Sequence, residues 1–324
     1  MHLFILDVPS RIILIFPETA SMGPQSPEVP EDKPYGKWSW VAPVFMMFGI
    51  FVLLYSFSPP EQEATNAPTV AVSIKPLHSI VAGIMDGVSS PQLIMSGMTS
   101  PHDYALKPSD ARLLEKADVI FWIGPAMEAS LVKPLSIISE KSRVVAMAPN
   151  EADPHIWLDP ENVITMIDDI TAQLNIADPY NEDRYTQNAV RMKERIEALN
   201  IDLRQRLTTV SHKSIIVYHD AYNHFAKSFG LNIAGTFAPT PDQRPGAARI
   251  SAIRQMMASG GVHCLFKEPQ FDAAILTTAI EGIDGARIAD LDPIGTGLTP
   301  DKDLYFNLMK SNVEAIRSCL SETP

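Results

Sequence analysis

The feature that most constrains the fold is a long amphipathic stretch at residues 178–210. Small or apolar residues recur in it at intervals of three or four, which places them on one face of an α-helix. They are Tyr185, Ala189, Met192, Ile196, Leu199, Leu203, Leu207 and Val210. Asp178 followed by Pro179 is a start signal, because a capping carboxylate precedes proline at the first helical position. A helix of this length spans roughly 50 Å, which is more than the diameter of a small domain.

Such a helix either packs within one domain or connects two. Similar strand-and-helix patterns lie on both sides of it and favour a rigid connector. The strand-like runs are 69–74, 91–95, 118–123 and 143–147 before the helix, and 214–219, 231–237, 262–266 and 286–291 after it. Strands that alternate with helical segments predict parallel βαβ units. We therefore expect an α/β fold of two parallel-sheet lobes, 69–177 and 211–324, joined by the helix at 178–210.

The first 68 residues differ in composition from the rest of the chain. Residues 1–37 are rich in proline and acidic residues and predict no packed structure. The uncharged run at 41–57, within a segment from 38 to 58, predicts a signal or transmembrane anchor more than a buried core helix. Its candidate cleavage sites are followed by proline, so we expect an uncleaved anchor that leaves the remainder outside the cytoplasm. Residues 59–68 then form a linker.

Charge and cysteine content exclude two classes of site. The formal net charge of −12 argues against nucleic-acid binding, which needs a basic surface. The chain has two cysteines, Cys264 and Cys319, and no CxxC pair, so neither a zinc ribbon nor a thioredoxin-like motif is available.

Histidines follow the ends of several predicted strands. His102 lies shortly after the second strand, His155 lies in the loop after the fourth, and His219 closes the fifth. Asp292 follows the last strand. Ligands of open parallel sheets bind beyond the carboxyl ends of the strands, so these four side chains are expected at a cleft between the lobes. Any one of them alone fits a hydrogen-bonded loop residue equally well, but their equivalent positions favour a metal site. The other histidines of the chain are not expected to bind the metal. His224, five residues past His219, is the least certain of these.

Five runs carry a resemblance to a known family: SPHDYALKPSDARLLEKADVIFWIGPAMEA, HIWLDPENV, YHDAYNHFAKSFGL, FKEPQF and LDPIGTG. They resemble the substrate-binding proteins of zinc-uptake ABC transporters, the ZnuA-like branch of the cluster-9 family. The resemblance covers residues 69 to 319. It implies two α/β lobes joined by one long helix, with a metal ion in the cleft between them. It also implies a periplasmic binding protein, without enzymatic activity, that delivers Zn²⁺ to a membrane ABC permease; we expect a monomer.

The resemblance assigns the three metal-binding histidines of the family to His102, His155 and His219, and its carboxylate to Asp292. Related manganese binders tend to have glutamate where this chain has His219, so zinc is favoured. Two features depart from the family. Only APNEADP separates the fourth strand from His155, where well-studied members carry a long histidine-rich loop, and Pro101 replaces the acidic residue that some members have before the first histidine.

Three neutral imidazoles and one oxygen, from Asp292 or water, form a tetrahedral site of the softness that suits Zn²⁺. Cu²⁺ would also bind such nitrogens, and the sequence does not exclude it. Asp103, Asp220 and Glu268 lie beside the ligand segments. They either accept hydrogen bonds from imidazole N–H groups or cap helices and turns.

Two other functions fit these residues. A zinc hydrolase would use three histidines to hold the metal and Asp292 as a general base, and it would need a pocket for an organic substrate. A manganese-preferring, adhesin-like member of the same family is the other alternative.

Cys264 and Cys319 are expected to form a disulfide, because an exported chain meets an oxidising compartment and neither thiol has a competing partner. The alternative is two buried free thiols.

Overall fold

The structure is a computed structural model that describes residues 67–238, 243, 245–271 and 274–321. The segment at 1–37, the membrane segment at 38–58 and most of the linker at 59–68 therefore lie outside the described residues. Within the described part of the chain, no helix is both long enough and apolar enough to cross a membrane.

Two four-stranded parallel sheets form the centre of the described structure. The strands of the first sheet are Val70–Val72 (β1), Gln92–Leu93 (β2), Val119–Trp122 (β3) and Arg143–Ala146 (β4). The strands of the second sheet are Ser214–Val217 (β5), Asn232–Thr236 (β6), Val262–Lys267 (β7) and Arg287–Asp290 (β8). The first sheet has the order β2-β1-β3-β4, and the second has the order β6-β5-β7-β8.

Every pairing in the two sheets is parallel, and the central strands set the register. Val70 of β1 lies opposite Val119 of β3, and Ile215 of β5 lies opposite Cys264 of β7. The predicted α/β class with two parallel sheets is confirmed.

The α-helices of the described residues lie where the sequence pattern predicts them, with ends that move by a few residues. They are Lys75–Ile84 (α1), Pro108–Lys116 (α2), Ala129–Ile138 (α3), Pro160–Ala177 (α4), Glu182–Leu207 (α5), Asn223–Phe229 (α6), Ala247–Ala258 (α7), Ala274–Ile280 (α8) and Leu304–Ser321 (α9). Three short 3₁₀ turns complete the set, at Pro101–Asp103, Ile156–Leu158 and Pro179–Asn181.

The long helix α5 connects the two sheets, as the strand-and-helix patterns on both sides of it predict. It has 26 residues, so it is about 39 Å long. Its buried face carries the predicted stripe from Tyr185 to Leu207 and also Asn188, whose amide donates to the carbonyls of Ile84 and Asp86 at 2.8 Å. It begins after the 3₁₀ turn and ends at Leu207, and Val210 is buried in the turn that follows. Since α5 packs against α1, α4 and α9, it is held along its length by both halves of the chain.

The second sheet separates two hydrophobic clusters. Ile215 and Val217 of β5 face a large cluster that runs through α1, α4, α5 and α9 into the first sheet. Ile216 points to the opposite face, where a smaller cluster lies under α7 and α8. Alternate residues of one strand therefore belong to different cores, as the period of a strand requires. The cluster on the face of the second sheet that packs towards the first lobe is the larger of the two.

Cys264 and Cys319 form a disulfide in the structure, between β7 and the last turns of α9. The bond attaches the carboxyl-terminal helix to the middle of the second sheet.

Candidate metal centre

His102 is presented by a short turn in the first lobe. Pro101 occupies the first position of the 3₁₀ turn Pro101–Asp103, and the hydroxyl of Ser100 accepts a hydrogen bond from the backbone N–H of His102 at 3.4 Å. The ring of His102 is half-buried, so this side of the site lies nearest to solvent.

His155 is fixed by a carboxylate that the sequence reasoning overlooked. Oδ1 of Asp153 lies 3.1 Å from the backbone nitrogen of His155 and 2.8 Å from its ring Nδ1. A single oxygen therefore sets both the loop and the orientation of the ring. Burial lowers the pKa of His155 below its ordinary value, and the hydrogen bond with Asp153 opposes this shift. The signal for Asp153 was its place two residues before the histidine, where aspartate commonly bonds to the backbone N–H two residues on.

His219 follows β5 directly and is 4% exposed. Its Nδ1 lies 2.5 Å from Oε1 of Glu268, which is itself buried just beyond the end of β7. When Nδ1 donates to this carboxylate, Nε2 keeps its lone pair for a metal ion. This Nε2 atom is buried and has no hydrogen-bond partner. Burial raises the pKa of Glu268, and its contact with His219 opposes the shift.

The three histidines form a compact triangle. Their ring centroids are 5.4 Å (His102 to His155), 5.9 Å (His102 to His219) and 5.3 Å (His155 to His219) apart. Each ring offers one ligand nitrogen, and these nitrogens all lie within 4.8 Å of one another. Among the described residues, no other group of three or more histidine, cysteine, aspartate or glutamate side chains has this arrangement.

The separation of the nitrogens matches a tetrahedral ion. Zn–N bonds of about 2.05 Å at the tetrahedral angle place two ligand atoms about 3.3 Å apart. Nε2 of His102 and Nε2 of His155 are 3.4 Å apart. This pair of ring nitrogens therefore already has the spacing that tetrahedral zinc requires.

Asp292 is not part of this group, although the sequence and the resemblance both suggested it as a ligand. Its Oδ1 accepts hydrogen bonds from the backbone N–H groups of Ile294 and Gly295 at 3.0 Å. Its Oδ2 accepts from the backbone N–H of Thr296 at 2.5 Å. The carboxylate thus organises the turn that it begins.

Of the three acidic residues suggested beside the ligands, Glu268 contacts a ligand imidazole, that of His219. Asp220 is exposed and accepts a hydrogen bond from the side chain of Asn223 at 2.7 Å, so it caps the turn before α6. Asp103 is exposed at the end of its 3₁₀ turn. His224 also stays outside the triangle, and its Nε2 lies 3.1 Å from the carbonyl oxygen of Asp153.

The cavity at the triangle is very small. The three rings, Glu268 and the apolar side chains of Met127, Pro293 and Ile294 enclose about 10 Å³. This volume is close to that of a single water-sized sphere. Two larger cavities, of about 620 and 400 Å³, are lined by none of the three histidines. The site therefore has room for an ion and not for an organic substrate.

Comparison with known proteins gives the family. Residues 70–319 match the family described as "Zinc-uptake complex component A periplasmic", ZnuA. The chain belongs to the ZnuA family. The high-affinity zinc uptake system protein ZnuA of Brucella suis is 36% identical over 307 residues, which cover 78% of this chain and 92% of the relative. The protein of the same name from Yersinia pestis is 32% identical over 289 residues, covering 78% and 91%.

Solved structures share the ZnuA-like fold. A crystal structure of ZnuA superposes with a TM-score of 0.70 at 24% identity, covering 78% of this chain and 98% of the other. The periplasmic zinc binding protein TroA from Treponema pallidum superposes with a TM-score of 0.71 at 19% identity, covering 78% and 99%. The resemblance drawn from the sequence motifs is confirmed.

Glu268→Gln tests how far this ZnuA-family site depends on its buried carboxylate. An amide accepts a weaker hydrogen bond from Nδ1 of His219 and makes the imidazole a poorer donor to the metal. We expect zinc affinity to fall about 10- to 100-fold, as for other groups that orient metal ligands. Competition with a chelator measures the change. Asp220→Asn is the matched control, since Asp220 is exposed and contacts Asn223; an equal loss in both variants would contradict the assignment.

Proposed function

We propose that this protein captures Zn²⁺ outside the cytoplasm with His102, His155 and His219 and delivers it to a membrane ABC permease. The observation that carries the proposal is the triangle of imidazoles whose ligand nitrogens lie within 4.8 Å of one another. The relatives named as high-affinity zinc uptake proteins support the same function. The family description supports the periplasm as the site of capture.

The donor set favours zinc. Three neutral imidazoles leave one tetrahedral position, and zinc accepts water there without penalty. Mn²⁺ prefers carboxylate and water oxygens, and no carboxylate of the described residues joins the triangle. Some proteins of this fold bind manganese: a binding protein from Pseudomonas aeruginosa, FpvC, was solved with Mn²⁺ and is 19% identical to this chain. In this chain, His219 supplies a nitrogen ligand, and the carboxylate of Asp292 is bonded to its own turn; both features favour zinc over manganese.

The proposal includes no catalysis. A hydrolase would need space for an organic substrate beside the metal and a base that reaches the bound water. The cavity of about 10 Å³ provides no such space, and Asp292, the candidate base, is bound to its own turn. Membership of a family of substrate-binding proteins supports the same conclusion.

The proposed organisation of the exported protein follows the sequence. We propose a first lobe at 69–177, the connecting helix within 178–210 and a second lobe at 211–324, acting as a monomer that meets the permease. The two sheets and α5 support this layout.

Metal titration of the purified protein tests the function. We expect one Zn²⁺ per chain, bound tightly enough to compete with a strong chelator, and no displacement by equimolar Mn²⁺. Growth under zinc limitation of a bacterium that lacks its own zinc-binding protein provides the second test, with export and a matching permease supplied. Tight, stoichiometric binding of Mn²⁺ in preference to Zn²⁺ would contradict the proposal.

Zinc affinity should fall as the pH drops below about 6. Imidazole must be neutral to bind the metal, and its unperturbed pKa is about 6.5, so protons and zinc compete for the same nitrogens. The lowered pKa of His155 keeps that ring neutral to lower pH than usual. Chelator competition from pH 5 to 8, with proton release measured by calorimetry, follows the effect. An affinity that stays constant over this range would argue against imidazole ligands.

A further inference from the structure

The loop from Asp292 to Leu298, which we call the 292–298 loop, is organised around one carboxylate. In addition to the three backbone N–H groups described above, Asp292 accepts from the hydroxyl of Thr296 at 3.2 Å and from the amide of Gln270 at 3.4 Å. A carboxylate has about four lone-pair sites, so Asp292 has little accepting capacity left for a metal.

Lys75 holds the same loop from the first lobe. It is the first residue of α1 and is 6% exposed. Its ammonium group donates to the carbonyl oxygens of Thr296 at 2.6 Å, Leu298 at 3.2 Å and Gly295 at 3.3 Å. The carbonyl of Gly295 and the N–H of Thr296 belong to one peptide unit, which therefore joins Lys75 on one side to Asp292 on the other. The loop is therefore held between a buried cation and an anion, and rotating Asp292 outwards would leave Lys75 buried with weaker partners.

This arrangement decides which part of the loop faces the metal cavity. The carbonyl oxygen of Pro293 accepts a hydrogen bond from the indole N–H of Trp157 at 2.8 Å, which gives a second contact with the first lobe. Pro293 and Ile294 line the cavity, and Asp292 does not. The loop thus presents apolar atoms to the ion at the place where a carboxylate would otherwise be available.

We propose that Lys75 is a positioning residue that keeps Asp292 bound within the 292–298 loop and so reserves the fourth metal position for water. The inference rests on the proposed zinc function of the site. A hard ion such as Mn²⁺ loses more than zinc does when a carboxylate is withheld, because zinc binds well to imidazole alone. Lys75 would then determine the preference for zinc over manganese without contacting either ion.

Lys75→Met tests this role, because methionine keeps an unbranched stem in the same space and removes the charge. Without the ammonium group, the loop relaxes and Asp292 becomes free to reach the metal. We expect Mn²⁺ affinity to rise relative to Zn²⁺ affinity, so that the ratio of Zn²⁺ affinity to Mn²⁺ affinity falls about tenfold or more. Competition titrations with both ions measure the ratio. An unchanged ratio would contradict the proposal, and so would equal losses for both ions.

Cobalt provides a second measurement that a purely structural role of Lys75 would not change. In the Co²⁺-loaded wild type, azide should replace the bound water and alter the visible absorption bands. In Co²⁺-loaded Lys75→Met, Asp292 should occupy that position and azide should have little effect. The double variant Lys75→Met/Asp292→Asn should regain the response to azide and lose the gain in Mn²⁺ affinity. Equal azide responses in the wild type and Lys75→Met would overturn the proposal.

Lys302→Met is the matched control, since Lys302 is a lysine on the surface paired with Asp86 at 2.8 Å. It should change neither the ratio of Zn²⁺ affinity to Mn²⁺ affinity nor the azide response.

If Lys75→Met fails to fold, Thr296→Val provides a second variant, because it removes one bond to Asp292 and leaves Lys75 in place. It should lower the ratio of Zn²⁺ affinity to Mn²⁺ affinity by a smaller factor, and an unchanged ratio would count against the proposal. Failure of the wild type to bind zinc tightly contradicts the proposed function, whereas an unchanged ratio with tight zinc binding contradicts only the role of Lys75.

Discussion

His155→Ala should remove high-affinity zinc binding, with a loss larger than the roughly 10- to 100-fold that follows removal of a group outside the ligand set. His155 is 4% exposed, and its Nε2 lies 3.4 Å from Nε2 of His102, so it supplies a buried ligand nitrogen of the triangle. The two histidines that remain leave zinc with half of a tetrahedron. His102→Ala and His219→Ala should have losses of similar size. Titration under a competing chelator measures each of them.

His212→Ala is the control for this series, because His212 lies exposed in the turn after α5, at the opposite end of β5 from His219, and is not part of the triangle. It should bind zinc as the wild type does. Zinc affinity that survives in His155→Ala, with one ion still bound per chain, would remove the triangle as the capture site. Thermal unfolding of the metal-free variants separates lost ligands from lost structure.

The double variant Cys264→Ala/Cys319→Ala should lose about 4 kcal/mol of unfolding free energy, because the disulfide closes a loop across 55 residues of sequence. For a domain of this size, such a loss lowers the melting temperature on the order of 10 °C. Chemical denaturation and calorimetry in the metal-free state measure the change. Metal must be absent because bound zinc would stabilise the folded state of either protein.

Reduction provides the comparison for the disulfide. The wild type, unfolded and refolded with a reductant, should approach the stability of the double variant, and the double variant should not respond to the reductant. Equal stability of the oxidised wild type and the double variant would show that the bond contributes nothing, and two reactive thiols in the unreduced wild type would show that it does not form.

The sequence predicts the fold of this chain well because its signals are local. The stripe on α5 and the alternation of strands with helices depend on neighbouring residues, and both recur in the structure. The positions of His102, His155 and His219 follow from the same pattern, since parallel strands end at one edge of a sheet.

Asp292 shows what this reasoning does not reach. Its position after β8 places it near the correct edge, but the direction of its carboxylate depends on the turn that follows. Three successive backbone N–H groups compete for the carboxylate, and the buried Lys75, more than two hundred residues earlier, supports their arrangement. A contact between residues so distant in sequence leaves no periodic signal. Asp153 escaped notice although its bond is local, because an aspartate two residues before another residue in a loop is also typical of an ordinary turn.

The bond between Cys264 and Cys319 also affects the metal chemistry of the protein. Thiolates are strong, soft ligands for zinc, and two of them would compete with imidazoles for the ion. Oxidation converts both sulfur atoms into groups that hold zinc poorly. A reduced chain therefore carries a second set of donors, and the oxidised chain offers its three histidines without that competition.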